Sequence, residues 1–314
     1  VSGEHPADGS IVVIGSANLD IVGRTSGKIR YGTSNPGVLR TSVGGSARNI
    51  AENLARLGMQ AVLITAVGDD PEGDRVLGET SSAGVDIEHC LRLEGQRTGA
   101  YLAVLDEQGA LHLGLDDMPT IASITPDHLR ACEHLFKEAS ALVVDANLPP
   151  KSLSAAISLA RRNRVPIVAD TTSVTLARRL QPHLKKLWLI TPNEAEAAAL
   201  CPQPVPHADP SRAIEAARYL VSQGVGVAVI TMAEFGVGYA TPDSSGHVPA
   251  PRIEIIDPTG AGDALTATVL FALLNEIPLD EAVRLGISAA AHTLQSRGSV
   301  ATDLSLELLY DELR

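Results

Sequence analysis

Asp257-Pro258-Thr259-Gly260-Ala261-Gly262-Asp263-Ala264 is the densest local signal in the chain, because its small residues run directly into a helical pattern over 261–274. Small residues let an anion approach the backbone. The amides of Gly260, Ala261 and Gly262 would point at a bound phosphoryl group, with the helix dipole behind them. Asp263 falls in the first turn and faces the same spot. A carboxylate there would repel phosphate but can accept a proton from an attacking hydroxyl, which is the work of a general base. The same position also suits an acid that merely complements its helix dipole, and the turn alone leaves both readings open.

Working outward, short β-branched runs at 11–14, 61–66, 141–145, 166–170, 187–190 and 227–231 read as buried strands. Helical patterns at 46–57, 71–83, 126–137, 152–162, 193–200, 211–223 and 261–274 alternate with them, and 280–295 and 305–313 close the chain. That alternation predicts an α/β fold: a doubly wound, mostly parallel sheet flanked by helices, in one domain over 1–314. Two segments break the rhythm, 23–42 and 90–115, the second with a hairpin of 100–105 and 110–113 around Glu107-Gln108-Gly109. Both read as antiparallel structure projecting from the main sheet. They form either a small β lid over the carboxyl ends of the strands, where open α/β sheets place ligands, or ordinary edge hairpins. The proline-rich stretch 201–210 reads as a loose loop.

With 45% hydrophobic and 20% charged residues over 314 positions, the chain has ample material for a large core. Lys and Arg number 25 against 37 Asp and Glu, a net charge of −12 with the basic residues scattered, so no nucleic-acid partner is expected. Cys90, Cys132 and Cys201 form no C-x-x-C pair and read as reduced, buried thiols of a cytoplasmic protein. The most apolar stretch, 264–274, is too short to cross a bilayer, so no membrane partner is expected, and no signal-peptide pattern opens the chain. It begins at Val1 rather than Met, which suggests a missing upstream piece. Neither a Walker A sequence nor G-x-G-x-x-G occurs, which removes P-loop and simple dinucleotide folds.

Two further glycine-bearing segments precede helix or strand patterns. In Gly44-Gly45-Ser46-Ala47-Arg48-Asn49 the paired glycines would admit a sugar against bare backbone, and Asn49 can both donate to and accept from a diol. Equally, Gly-Gly is a tight turn and Ser46 an N-cap. In Gly15-Ser16-Ala17-Asn18-Leu19-Asp20, Asn18 and Asp20 lie two apart, and a carboxylate accepting from vicinal hydroxyls holds a ribose. A solvated turn is the other reading.

Taken in this order and spacing, the three segments resemble the PfkB carbohydrate kinase family, also called the ribokinase family. The amino-terminal pattern fits residues 44–68, with Asn49, Ala51, Gly58 and Gly68 at the family's intervals, and the carboxyl-terminal pattern fits 257–263. The resemblance implies a ribokinase-like fold whose β lid often serves as a homodimer clasp, and an ATP-dependent kinase acting on a sugar hydroxyl. It implies that Asn18, Asp20, Gly44, Gly45 and Asn49 hold the sugar and that Asp263, with Gly260, Ala261 and Gly262, is catalytic. Asn193 and Glu196, in Thr191-Pro192-Asn193-Glu194-Ala195-Glu196, look like the N-x-x-E element that governs Mg²⁺ and phosphate through water. Thr231 and Gly236 resemble the strand end and turn beside the nucleotide. Asp257 and Thr259, with carbonyls near Arg297 and Gly298, resemble a monovalent-cation loop, for K⁺. One departure is Ala267-Thr268, where the family commonly has Ala-Gly.

Ser34-Asn35-Pro36-Gly37 also reads as a plain turn, but with Gly15-Ser16-Ala17-Asn18, Asp116-Asp117-Met118 and Asn147 it is similar to the pseudouridine-phosphorylating branch of the family. On that resemblance Asn35 and Asp116 would meet the amide edge of a uracil-like base, Thr98 would touch the nucleoside, Asn147 would join the substrate-binding residues, and the acceptor would be the 5′-hydroxyl. The alternatives are a ribokinase-like sugar kinase, another nucleoside kinase, and, in a different class, a non-catalytic ligand sensor on a kinase fold. A purely structural dimer module would explain the lid but not the glycine turns.

Overall fold

The computed structural model describes residues 9–312. Among them, eight strands form one sheet in the order Ser245–Val248, Val237–Ala240, Val227–Thr231, Leu189–Ile190, Ile167–Asp170, Ala139–Asp145, Ser10–Ile14, Ala61–Ile64. The six from Val227–Thr231 onward run parallel, and the first two join as antiparallel edge strands. Alternate residues of the central strands feed opposite faces. Val12 and Ile14 enter a core with Phe136, Leu153, Ile157 and Leu220. Ile11 and Val13 enter another with Ile50, Leu54, Leu265, Val269 and Leu285. Both faces are therefore dry, which is why these strands read as continuous apolar runs rather than alternating ones. Each fully buried Leu or Ile contributes about 1.5–3 kcal/mol by leaving water.

Four further strands make a second sheet in the order Gly37–Gly44, Asn18–Thr25, Ala100–Leu105, Leu111–Asp117. The two hairpins are antiparallel, but the central pair, Asn18–Thr25 with Ala100–Leu105, is parallel, which corrects the fully antiparallel expectation. The reason is topological. Asn18–Thr25 follows the main-sheet strand Ser10–Ile14, and Ala100–Leu105 lies beyond the strand Ala61–Ile64 that pairs with it, so the two leave the body side by side. The projecting sheet also starts earlier than 23, at Asn18. Leu91–Leu93, which falls within the expected 90–115 segment, pairs instead with Ala66–Gly68 in a separate two-stranded sheet. The run 61–66 is accordingly split between two sheets.

Helix expectations fare well where the apolar period is long. Ala261–Leu274 has the bounds read from sequence, and Ser46–Arg56, Pro71–Ser82, Pro150–Arg162, Pro210–Ser222 and Leu279–Leu294 differ by a residue or two at an end. The 126–137 pattern divides at Cys132 into Pro126–Ala131 and Glu133–Lys137. The last helix is Leu306–Glu312, and Leu313, expected within it, lies outside the described residues, as do the ends of the 1–314 span. The glycine turns and several buried acids gather at one end of the main sheet. Asp145, Asp170 and Thr231 are the last residues of their strands, Asn18 and Gly44 pair at the base of the second sheet, and the Ala261–Leu274 helix begins there.

Candidate active site

The helix over Ala261–Leu274 starts without a side-chain cap, because its N-cap is Gly260 at φ +79. A Cβ at Gly260 would overlap the Ser299 carbonyl, so both the left-handed conformation and the close approach call for glycine. The first-turn amides are left without the side-chain acceptor that usually satisfies them, and Gly262 opens onto empty space. An uncapped helix start beside a cavity leaves amide donors that an anion could use.

Asp263 sits in that first turn, partly buried. Asn49 Nδ2 donates to Asp263 Oδ2 at 2.8 Å across 214 residues of chain. The amide orientation is fixed from its other end: Asn49 Oδ1 accepts from Ser299 Oγ at 2.9 Å and Arg48 Nη1 at 3.1 Å, which leaves only the NH₂ group to face the carboxylate. Asp263 Oδ1 has no hydrogen-bond partner among the described residues. Burial, and after it the negative charge of Asp170, push Asp263 well above the usual carboxylate range, so the group is a stronger base than an exposed aspartate.

Gly45, at φ +101, brings the start of the Ser46–Arg56 helix onto Ser16, where a Cβ would come within 2.5 Å of the Ser16 carbonyl. Gly44 lies against the Asp20 carboxylate. Asn18 Nδ2 donates to Asp20 Oδ1 at 2.7 Å, and burial raises Asp20 to about 6. Beneath them, fully buried Asp145 accepts from Ser16 N at 2.7 Å, Ser16 Oγ at 2.6 Å, Asn147 N at 3.0 Å and Ala47 N at 3.3 Å. One carboxylate thus ties three chain segments into a floor, with Asn147 Nδ2 reaching Ser16 Oγ at 3.2 Å. The price of burying it is a raised pKa.

On the other side of Asp263, Asn193 and Glu196 form a reciprocal capping box: Asn193 Oδ1 accepts from Glu196 N at 2.9 Å, and Glu196 Oε2 accepts from Asn193 N at 3.0 Å and Thr171 Oγ1 at 2.6 Å. Glu196 Oε1 and Asn193 Nδ2 remain without partners among the described residues. A 480 Å³ cavity lies beside them, bounded by Thr231, Gly236, Pro258, Gly262 and the apolar side chains of Ile253, Leu265 and Leu294. Asp257 Oδ1 accepts from Thr259 N at 3.0 Å and Thr259 Oγ1 at 2.6 Å, while Oδ2 accepts from Gly298 N at 3.3 Å, so the 257–259 and 297–298 loops are tied together.

Of three residues named from sequence for the nucleoside, Thr98 and Asn35 have their side-chain polar atoms engaged within the protein, while Asp116 stays on the face that carries Asp20. Thr98 has its hydroxyl between Asp70 Oδ1 at 2.5 Å and Gly68 N at 3.0 Å, so it is committed to a turn. Asn35 spends its amide on its own loop, accepting from Arg30 N at 2.8 Å and donating to the carbonyls of Arg30 at 2.9 Å and Thr33 at 3.1 Å. It lies beyond the Gly37 end of a strand whose other end, Gly44, borders the site, and seven steps at about 3.3 Å put it roughly 23 Å away or more. Asp116 is on the exposed strand Leu111–Asp117, but its register with Tyr101, and of Tyr101 with Asp20, puts all three on one face.

Sequence reasoning missed Asp145, Asp170, Ser299 and Tyr101. The two aspartates end β-branched runs, and acids at the carboxyl ends of parallel strands were an available signal. Burial, then repulsion from Glu196, raises Asp170 to about 7. No group of three His, Cys, Asp or Glu side chains among the described residues would hold a metal unaided.

The family model described as pfkB family carbohydrate kinase matches residues 8–305. The chain is 30% identical to a pseudouridine kinase of Escherichia coli over 297 residues, 94% of either chain. It is also 30% identical over 288 residues to a guanosine-inosine kinase of Exiguobacterium acetylicum, covering 91% of this chain and 94% of the relative. Among solved structures, a ribokinase of Arabidopsis thaliana complexed with ribose and ATP superposes with a TM-score of 0.85 at 19% identity, covering 98% of this chain and 99% of the other, so the fold is ribokinase-like.

Proposed function

The chain belongs to the pfkB family of carbohydrate kinases, and from that membership we propose that it transfers the γ-phosphoryl group of ATP to the 5′-hydroxyl of pseudouridine, giving pseudouridine 5′-phosphate and ADP. As a member of the family it is a phosphotransferase with an alcohol acceptor; the particular alcohol is the proposal. The observation that carries it is the half-satisfied carboxylate of Asp263, with Oδ2 held by Asn49 and Oδ1 open beside an uncapped helix start. Asn18, Asp20, Asn49 and the Gly44-Gly45 backbone hold the ribose hydroxyls, and Asn147 borders them. Asp263 Oδ1 takes the 5′-hydroxyl proton while the amides of Gly260, Ala261 and Gly262 receive charge on the phosphoryl oxygens.

The nucleotide fits the cavity beside Thr231 and Gly236, whose wall is apolar where a purine would lie and polar at Asn193. Glu196 Oε1 suits a Mg²⁺ held largely by phosphate oxygens and water, since that ion takes few protein ligands, and Asn193 Nδ2 is a donor for a phosphate oxygen. Mg²⁺ would supply charge neutralisation to the phosphates. Pseudouridine is favoured over bare ribose by Asp116: the carbon–carbon glycosidic bond leaves both ring nitrogens as N–H donors, and a carboxylate on the Asp20 face of the lid is an acceptor for one. Its equal identity to a guanosine-inosine kinase makes a purine nucleoside the second reading.

A second copy of the chain would cover the lid's outer face, where Leu39, Leu113 and Leu115 are more than half exposed. K⁺ would sit among the carbonyls of the loops that Asp257 ties together. Among the described residues no helix is long and apolar enough to cross a membrane, and dependence on ATP suits a cytoplasmic enzyme. The decisive variant is Asp263→Asn: it should bind both substrates normally and lose about a thousandfold in kcat, the range of a general base. Near-normal turnover would remove Asp263 from the chemistry and the reading with it.

A further inference from the structure

Across the base of the lid, four side chains stand in one row on the face toward the acceptor: Ser42, Asp20, Tyr101 and Asp116, paired strand by strand. Neighbouring strands lie about 4.8 Å apart, so Tyr101 stands between two carboxylates separated by roughly 10 Å. It is half-buried, and its hydroxyl makes no hydrogen bond among the described residues. Both acids face the ring, and burial followed by the charges of Asp20 and Asp116 raises the phenol's pKa.

The ring's attitude follows from its neighbour. Gly114 is opposite Ala103, one step outward on the same face, and a Cβ there would meet Tyr101 Oη at 2.7 Å and the ring carbons at 3.3 Å. Tyr101 therefore leans along the sheet, with the hydroxyl end of its ring over the space that Gly114 leaves. An aromatic ring held over a glycine, with its hydroxyl unpaired among the described residues, suits stacking against a flat, π-faced group.

Resting on the nucleoside reading above, we infer that Tyr101 is the platform on which the planar base of the acceptor stacks, with Gly114 as the spacer that keeps the ring flat. Asp20 takes the ribose hydroxyls one strand away, so whatever is attached at the sugar's anomeric carbon emerges beside Tyr101. Asp116, on the far side of the ring, is left to accept from a base N–H. The residue thus separates nucleosides from free sugars, a task that neither the glycine turns nor Asp263 performs.

The test measures phosphorylation of pseudouridine, and ribose as substrate or competitive inhibitor, by the unsubstituted enzyme and by Tyr101→Ala, Tyr101→Phe and Gly114→Val. Tyr101→Ala should raise KM for pseudouridine about tenfold or more, while kcat, the KM for ATP and the affinity for ribose stay within about twofold. Tyr101→Phe keeps the π face and should stay within about threefold of the parent. Gly114→Val, which lifts the ring without altering it, should reproduce the alanine phenotype. Equal losses for pseudouridine and ribose in Tyr101→Ala would overturn the platform and leave the kinase reading intact. Turnover of ribose but of no nucleoside by the unsubstituted enzyme would overturn the nucleoside reading first, and the platform with it.

Discussion

At the Gly260 turn the backbone is tightly packed: the Ser299 carbonyl fills the space a Cβ would need, Asn49 is oriented by two donors, and Asp263 has one oxygen engaged and one free. In the outer half of the lid the opposite holds. Leu39, Leu113 and Leu115 face solvent, and Asn35 satisfies its polar atoms within its own turn. The body of the molecule holds Asp263 and its neighbours by packing, whereas the lid is a repeating sheet that adjoins them only at its base, where Asn18 pairs with Gly44. Chemistry and specificity are thus built with different rigidity, and substitutions should separate them.

The largest effect is expected from crowding the rigid side. Gly260→Val places a branched side chain at a positive φ and into the Ser299 carbonyl, so kcat should fall by about a thousandfold while circular dichroism stays native. Retained turnover would mean that the turn is not part of the phosphoryl site. Next, Asp20→Ala removes the carboxylate at the lid's base and should raise the nucleoside KM about a hundredfold, with the KM for ATP nearly unchanged.

Two pH effects of opposite sign sharpen the same contrast. Asp20 must be ionised to accept from a diol, so kcat/KM for the nucleoside should climb about tenfold between about pH 5 and pH 7 as its carboxyl titrates near 6. Stability should move the other way. Asp20 and Asp170 have folded-state values raised from 3.8 to about 6 and about 7, so the folded state holds their protons more tightly. The stabilisation this gives is complete below the unfolded value and is lost as pH rises through the folded ones. The Tm of the ligand-free enzyme should therefore drop between pH 5 and pH 8, and Asp170→Asn should flatten the drop. An unchanged slope in that variant would contradict the assignment.

Smaller effects belong to the lid. Asp116→Asn should reduce the preference for pseudouridine over uridine by about three- to tenfold, measured as a ratio of kcat/KM values. Asn35→Ala should change nucleoside KM by less than about twofold, because its amide is spent within its own loop. A large effect would mean that the lid tip of a second copy reaches the acceptor.

This division also explains what was legible in the sequence. The Ala261–Leu274 helix and the strand ends carrying Asp145 and Thr231 are written in local apolar period and small-residue turns, so their bounds read directly from residues. The Asn49–Asp263 contact spans 214 residues and no sequence pattern announces it; the family resemblance gave the two residues separate roles, and the structure joins them. Tyr101 had no local signal, because its meaning depends on register across three strands, one pairing of which is parallel where an antiparallel one was expected. Thr98 shows the converse: a small hydroxyl next to a glycine suits a ligand or a turn equally well, and here Asp70 claimed it.

The central claim is most directly tested by offering the enzyme limiting ATP with pseudouridine, uridine, guanosine and ribose together at equal concentration and resolving the phosphorylated products by ³¹P NMR and mass. The account predicts that pseudouridine 5′-monophosphate dominates. Preferential formation of ribose phosphate or of another nucleotide would contradict it.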